Sequence, residues 1–160
     1  MPSLDFQAKL QTPFALLGIR VEDDELAEIV FLARDGETLS PQHRLAERVC
    51  AQVERYVDDP DFRFDLPLAR PGTPFQRRVW SGIAAIGPGS TRSYGELARE
   101  LGSAPRAVGQ ACGANPLPLV VPCHRVVAAS GIGGFAHRRG GFRLAVKRWL
   151  LEHEGAEAAR

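Results

Sequence analysis

Between residues 73 and 113 the chain punctuates three short helices in quick succession, which constrains its folding more than any other feature. Thr73-Pro74-Phe75-Gln76 offers an N-cap hydroxyl, a proline at the first helical position and a Gln where a capping box needs it. Phe75, Val79, Ile83 and Ile86 make that helix's apolar stripe, and Gly87-Pro88-Gly89 ends it. Ser93-Tyr94-Gly95-Glu96 repeats the capping-box pattern and opens a second helix that ends at Gly102. Ser103 is placed to cap a third helix almost at once, running to Gly113 with Pro116 just beyond. Two short helices joined by so tight a turn make a helix-turn-helix candidate.

The third helix is slim: Ala104, Ala107, Gly109, Ala111, Gly113 and Ala114 lie along it, and Arg106 is its one charged side chain. A glycine inside a helix costs roughly 1 kcal/mol relative to alanine, so a close approach should compensate. Either the helix packs tightly within its own lobe, or its slim face enters a groove of DNA. Arg106 favours the second reading.

Residues 1–72 read as a small β lobe with one helix. Leu4, Phe6, Ala8 and Leu10 alternate like a half-buried strand, and the apolar runs 14–21 and 26–32 flank an acidic turn, Glu22-Asp23-Asp24-Glu25. Ser40-Pro41 is expected to open a helix to about Val57, with Leu45, Val49, Val53 and Tyr56 on one stripe and Cys50 beside it as inert packing. Phe62, Phe64 and Leu66 suggest a further strand, and residues 68–72 a linker to the second lobe, residues 73–160.

The two halves differ in charge. Residues 1–72 carry 8 Lys and Arg against 14 Asp and Glu, whereas residues 73–160 carry 12 against 5, so a formal net charge of +1 hides an acidic lobe and a basic one. That pattern is expected where one lobe meets a polyanion. No apolar run is long enough to span a membrane, and Met-Pro-Ser-Leu-Asp lacks the basic and apolar regions of a signal peptide. Three cysteines at wide spacing, Cys50, Cys112 and Cys123, argue against a disulfide framework and suit a reducing cytoplasm. With no CxxC or HxxxH pair, no metal site and no cofactor are expected.

The chemistry concentrates in residues 120–127, Val-Val-Pro-Cys-His-Arg-Val-Val. A thiol reacts as its thiolate, and an adjacent imidazole can take its proton near neutral pH. The valines predict a short buried segment, and Pro122 removes a backbone donor where a plain strand would want one. A Gly-rich loop (residues 128–135) and a flexible basic stretch follow, with no Walker or dinucleotide pattern around them. A last helix over about 143–152 leads to His153-Glu154-Gly155, where Glu154 could orient the imidazole of His124 as a third member of a triad.

Thr73-Pro-Phe-Gln76, Ser93-Tyr94, Arg106-Ala-Val-Gly109, Asn115-Pro116, Val121-Pro-Cys-His-Arg-Val126, Leu144-Ala-Val-Lys147, Trp149-Leu-Leu151 and His153-Glu-Gly155 stand in an order that resembles the O6-alkylguanine-DNA alkyltransferases. The resemblance covers residues 73–155, and Pro-Cys-His-Arg-Val is its most specific part. It implies an α+β fold: a ribonuclease-H-like N-terminal β lobe with a helix, then a winged-helix-like lobe with the helix-turn-helix. The activity implied is a single-turnover methylated-DNA–protein-cysteine methyltransferase that flips O6-alkylguanine (and O4-alkylthymine in some cases) out of double-stranded DNA. The alkyl group would pass irreversibly to Cys123. His124 would be the base, acting through a bridging water, with Glu154 holding it and Asn115 bracing the network. Tyr94 would present its hydroxyl to the departing guanine, and Arg106 would fill the hole in the base stack. Ala107, Gly109, Gln110 and Arg125 would also meet DNA, and Val126, Gly134 and Phe135 would line the pocket. The His124–Glu154 relay would lower the pKa of Cys123 below the free value of about 8.5. A cytoplasmic (in a bacterium, nucleoid-associated) protein with no membrane contact and no obligate protein partner is implied.

Departures from the family pattern are Phe135 in place of a tyrosine and a longer stretch at 136–139. Two other readings compete. A non-catalytic alkyltransferase-like lesion sensor would lack the cysteine, which is present here. An unrelated Cys-His thiol enzyme would leave the helix-turn-helix, Arg106 and the basic lobe without a purpose.

Overall fold

The acidic turn at residues 22–25 closes a β-hairpin that organises the first lobe. Strands β1 (Ala8–Gln11), β2 (Leu16–Glu22) and β3 (Glu25–Leu32) form an antiparallel sheet in the order β1-β2-β3. Asp23 and Asp24 both hold positive φ (50° and 58°), the conformation that a two-residue hairpin turn requires. We describe here a computed structural model that covers residues 5–132 and 141–157, with no side-chain description for 141–143. The chain divides into two units, Met1–Ala69 and Arg70–Arg160.

In the first unit, Ala8, Leu17, Ile19, Leu26, Ile29 and Phe31 are buried in the sheet. Helix α1 (Arg44–Asp58) buries Leu45, Ala46, Val49, Cys50, Val53 and Tyr56. It begins later than Ser40-Pro41 suggests, because His43 caps it: the imidazole Nδ1 accepts from the Leu45 amide at 2.9 Å. The strand expected at 62–66 does not form. In place of a neighbouring strand, a side chain bonds its backbone: Gln52 of α1 accepts from the Asp65 amide (2.9 Å) and donates to the Asp65 carbonyl (3.0 Å). Phe62 and Phe64 pack edge to face 5.5 Å apart, and Phe64 lies 5.7 Å from Tyr56.

In the second unit, helix α2 (Pro74–Ala84) starts at the complete capping box of Thr73 and Gln76. Strand β4 (Arg92–Ser93) leads straight into helix α3 (Tyr94–Leu101), capped by Ser93 and Glu96 and closed by Gly102 at φ 64°. Helix α4 (Pro105–Gly113) follows after a three-residue turn, giving the α3–turn–α4 pair the connectivity of a helix-turn-helix. Its N-cap is Ala104 with no side-chain hydrogen bond, not Ser103, because Pro105 sets the first helical position one residue later. A 3-10 turn (Cys123–Arg125) runs into strand β5 (Val126–Val127), which pairs in parallel with β4. Helix α5 (Gly141–His153) completes the unit, burying Val146, Leu150 and Leu151. Among the described residues, no helix is long and apolar enough to cross a membrane.

Candidate active site

The loop from Asn115 to Pro122 carries the chain from the end of α4 to the thiol, and Asn115 fixes its course. The Asn115 side chain accepts from the Leu117 amide (2.9 Å) and donates to the Val121 carbonyl (2.9 Å). Leu119, buried in the middle of this loop, sits at φ 78°. A branched residue in left-handed backbone costs about 1–3 kcal/mol and persists only where surrounding contacts enforce it. Buried Leu117, Leu119 and Val121, together with the Asn115 clasp, supply that enforcement.

Cys123 is 3 % exposed and His124 wholly buried, at the start of the 3-10 turn. The His124 Nε2 lies 2.8 Å from Oε2 of Glu154, whose carboxyl group is fully buried just after α5. The other ring nitrogen, Nδ1, is buried and has no hydrogen-bond partner among the described residues. Burial lowers the His124 pKa and outweighs the raising effect of Glu154, so the ring is neutral near pH 7. Because Glu154 is a carboxylate, Nε2 carries the hydrogen and Nδ1 presents a lone pair.

Burial also pushes the Cys123 thiol up, to about 11, against the lowering effects of a hydrogen bond from Asn115 and the charge of Lys147. This corrects the expectation of an acidified cysteine. A sulfur withdrawn from water loses more from desolvation than its neighbours return, so the resting group is a thiol.

Arg125 differs most from its expected place at the DNA surface. It is buried, and its guanidinium donates through Nε to Glu154 Oε1 (2.9 Å), through Nη2 to Glu154 Oε2 (3.0 Å) and through Nη1 to the Ile86 carbonyl (2.6 Å). A side chain with all three arms engaged inside the lobe has none left for a phosphate. Burial works to raise the Glu154 pKa, but the hydrogen bonds from His124 and Arg125 prevail and hold it well below the usual carboxylate range.

Tyr94 opens α3 and is half-buried; burial pushes its hydroxyl pKa upward, so it is a proton donor at neutral pH. Two residues that the motif reading left without a role lie close by. Lys147 of α5 is completely buried, donates to the Val126 carbonyl (2.8 Å), and holds its Nζ 5.9 Å from the centre of the Tyr94 ring. Burial brings its pKa down to about 8, with Cys123 and Cys112 acting the other way. Cys112, buried on α4, has its thiol pushed up to about 12 by burial and by Cys123. Lys147 was legible as an anomaly, a lysine in step with Leu144, Leu150 and Leu151 on an apolar helix face. Nothing in the sequence marks Cys112.

Val126 is buried in β5. Gly134, Phe135 and the stretch 136–139 lie outside the described residues. On α4, Arg106 and Gln110 are exposed, and Ala107 and Gly109 half-exposed. A Cβ built on Gly109 meets nothing within 4 Å among the described residues, so packing inside the lobe does not require that glycine. Among the described residues, no group of three or more His, Cys, Asp or Glu is arranged to hold a metal ion.

These features define a class: a two-lobed α+β protein whose helix-turn-helix lobe encloses a thiol, an imidazole and a carboxylate. Residues 74–156 match the family model of the 6-O-methylguanine DNA methyltransferase DNA-binding domain. Over 147 residues (91 % of this chain and 93 % of the relative), the chain is 35 % identical to a probable methylated-DNA–protein-cysteine methyltransferase of Acanthamoeba polyphaga mimivirus. It is 52 % identical over 93 residues to the methylated-DNA–protein-cysteine methyltransferase of Salmonella typhimurium, although that match spans only about half of the relative's length (52 %). The Mycobacterium tuberculosis OGT solved in complex with DNA superposes with a TM-score of 0.74 at 35 % identity, covering 94 % of each chain. The chain belongs to the 6-O-methylguanine DNA methyltransferase family.

Proposed function

We propose that this protein repairs DNA by direct reversal, moving the alkyl group from O6-alkylguanine in duplex DNA onto its own Cys123 in one irreversible step. The observation that carries the reading is the buried row of thiol, neutral imidazole and carboxylate, in which the lone pair of His124 Nδ1 has no partner among the described residues. Family membership supplies the substrate class, and the relative solved with DNA supports duplex DNA as the partner. The three free cysteines fit a reducing cytoplasm.

His124 Nδ1 takes the thiol proton through one water as Cys123 Sγ attacks the O6-bound carbon. The S–C bond forms, the C–O bond breaks, and its electron pair stays with the guanine. Tyr94, a donor because burial raises its pKa, protonates the departing ring and is reprotonated afterwards. In sum, the thiol's proton ends on guanine and the alkyl group on sulfur, and no leaving group restores the thiol. A thiol held protonated until the substrate arrives is also protected from oxidation and stray electrophiles.

On the DNA side, the slim face of α4 suits close approach to a groove, since Gly109 leaves open space. Exposed Arg106 in the first turn of α4 is placed to enter the stack where the base leaves, offsetting a flipping cost of a few kcal/mol. Intact-protein mass after incubation with O6-methylguanine duplex tests the reading. A permanent gain of one methyl on Cys123 is the expected result, and turnover without modification would overturn it.

A further inference from the structure

Arg125 lies beside the proposed relay. Its fork grips both oxygens of Glu154, and its third arm holds the carbonyl of Ile86, just past the end of α2. His124 and Arg125 are consecutive in the 3-10 turn, so one carboxylate receives both side chains, and the Oε2 that faces His124 Nε2 is the oxygen that accepts from Arg125 Nη2.

We infer that Arg125 is the positioning residue that sets the tautomer and basicity of His124 by fixing Glu154 through a two-point clamp. The inference rests on the reading of His124 as the base and adds what makes it one. Two parallel N–H···O bonds leave Glu154 a single orientation and keep it ionised. An ionised Oε2 can only accept, so the ring hydrogen sits on Nε2 and Nδ1 keeps its lone pair. The guanidinium charge also opposes the carboxylate's pull on a second ring proton, adding to the larger effect of burial. A buried carboxylate facing His124 without that charge would draw a second proton to the ring more strongly, and an imidazolium cannot accept a proton from sulfur. The charged and titratable groups around His124 are Glu154 beyond α5, Arg125 on its own turn, Lys147 on α5, and the thiol of Cys123 beside it. Lys147 and Arg125 disfavour protonation, and Glu154 favours it. Of the two cations, Arg125 is the one that donates two hydrogen bonds from a fork to Glu154 among the described contacts. The Ile86 anchor ties the clamp to α2, so it does not depend on the turn that it orients.

The test uses the full chain with Arg125→Met, Arg125→Lys and the double variant Arg125→Met/Glu154→Gln. Ring nitrogen shifts of His124, followed by NMR from pH 5 to 9, report tautomer and titration independently of repair. Single-turnover methyl transfer over the same range reports the base. In the native protein, His124 should be the Nε2–H tautomer, neutral near pH 7. Arg125→Met should make His124 titrate within the window and move the acidic limb of the rate profile upward by the same amount, with at least tenfold loss at pH 7. Arg125→Lys, which keeps the charge without the fork, should fall between. The double variant removes the uncompensated carboxylate and should return His124 to a neutral ring, which keeps the test alive if Arg125→Met does not fold. An Nδ1–H tautomer in the native protein, or a folded Arg125→Met with unchanged His124 titration and a rate lowered equally at every pH, overturns the inference. If His124 titrates as expected but the rate profile ignores it, the clamp stands and the base assignment falls.

Discussion

His124 turns its Nε2 to Glu154 Oε2 at 2.8 Å, while its buried Nδ1 has no hydrogen-bond partner among the described residues. An imidazole held this way is a one-directional proton acceptor. The cysteine beside it is equally withdrawn from water and stays protonated near neutral pH. The pairing is therefore a protonated thiol beside a neutral imidazole, unlike a preformed thiolate–imidazolium pair.

Cys123→Ala should abolish methyl transfer and leave duplex binding within about threefold, because phosphate contacts of the basic lobe dominate affinity. Cys50→Ala and Cys112→Ala should both still become methylated. Peptide mapping after reaction checks this, and methyl found on Cys50 or Cys112 would remove Cys123 from its role.

The free thiol of Cys123 should resist iodoacetamide at pH 7 and react progressively faster only as pH approaches 11, since burial has raised its pKa. The native fold must persist through the assay, so circular dichroism is followed in parallel. A thiol that alkylates fully at pH 7, with a midpoint below 8.5, would restore the preformed thiolate.

Glu154→Gln should cost the fold on the order of 3 kcal/mol, because it strands the buried Arg125 charge. That corresponds to a drop in Tm of roughly 6–12 °C for a chain of this size. Thermal melts measure the loss, and a change under 2 °C would mean that the Arg125–Glu154 pair carries no such weight.

Acid should weaken the fold in two stages of the same sign. His124 has a lowered pKa in the folded state, so below about pH 6.5 the unfolded chain binds a proton that the folded chain refuses, and stability falls. Glu154, also lowered, adds to the loss below about pH 4.5. Urea melts at pH 8, 6, 5 and 4 follow the decline, and His124→Gln should flatten the portion between pH 6.5 and 5.

Gly109→Ala should separate stability from DNA recognition. The new methyl meets open space within the lobe, so the α4 helix gains roughly 0.5–1 kcal/mol and Tm rises. If the slim face meets DNA, affinity for duplex falls by at least fivefold in the same variant. A rise in both, measured by melting and fluorescence anisotropy, would take α4 off the interface. Arg106→Ala complements it: repair of duplex lesions should slow far more than reaction with free O6-alkylguanine, and equal losses would end its role in flipping.

Local patterns determined the starts of α2 and α3, whereas Ser40-Pro41 and Ser103 set the starts of α1 and α4 too early. The capping boxes at Thr73 and Ser93 and the glycine stop at Gly102 depend on three or four consecutive residues, as does the Asp23-Asp24 hairpin turn. The Pro-Cys-His-Arg run likewise marked the buried pair of thiol and imidazole, because its residues are adjacent. The tertiary structure decided what depends on residues far apart in sequence. Gln52 replaces the strand partner expected for residues 62–66, and Arg125 reaches Glu154 and Ile86 across 29 and 39 positions. Burial, set by the whole lobe, reverses the expected sign of the Cys123 shift and places Lys147 inside. A sequence displays which charges and hydrogen-bonding groups exist. Desolvation and long-range pairing decide which of them meet water, which meet each other, and so which protons are held.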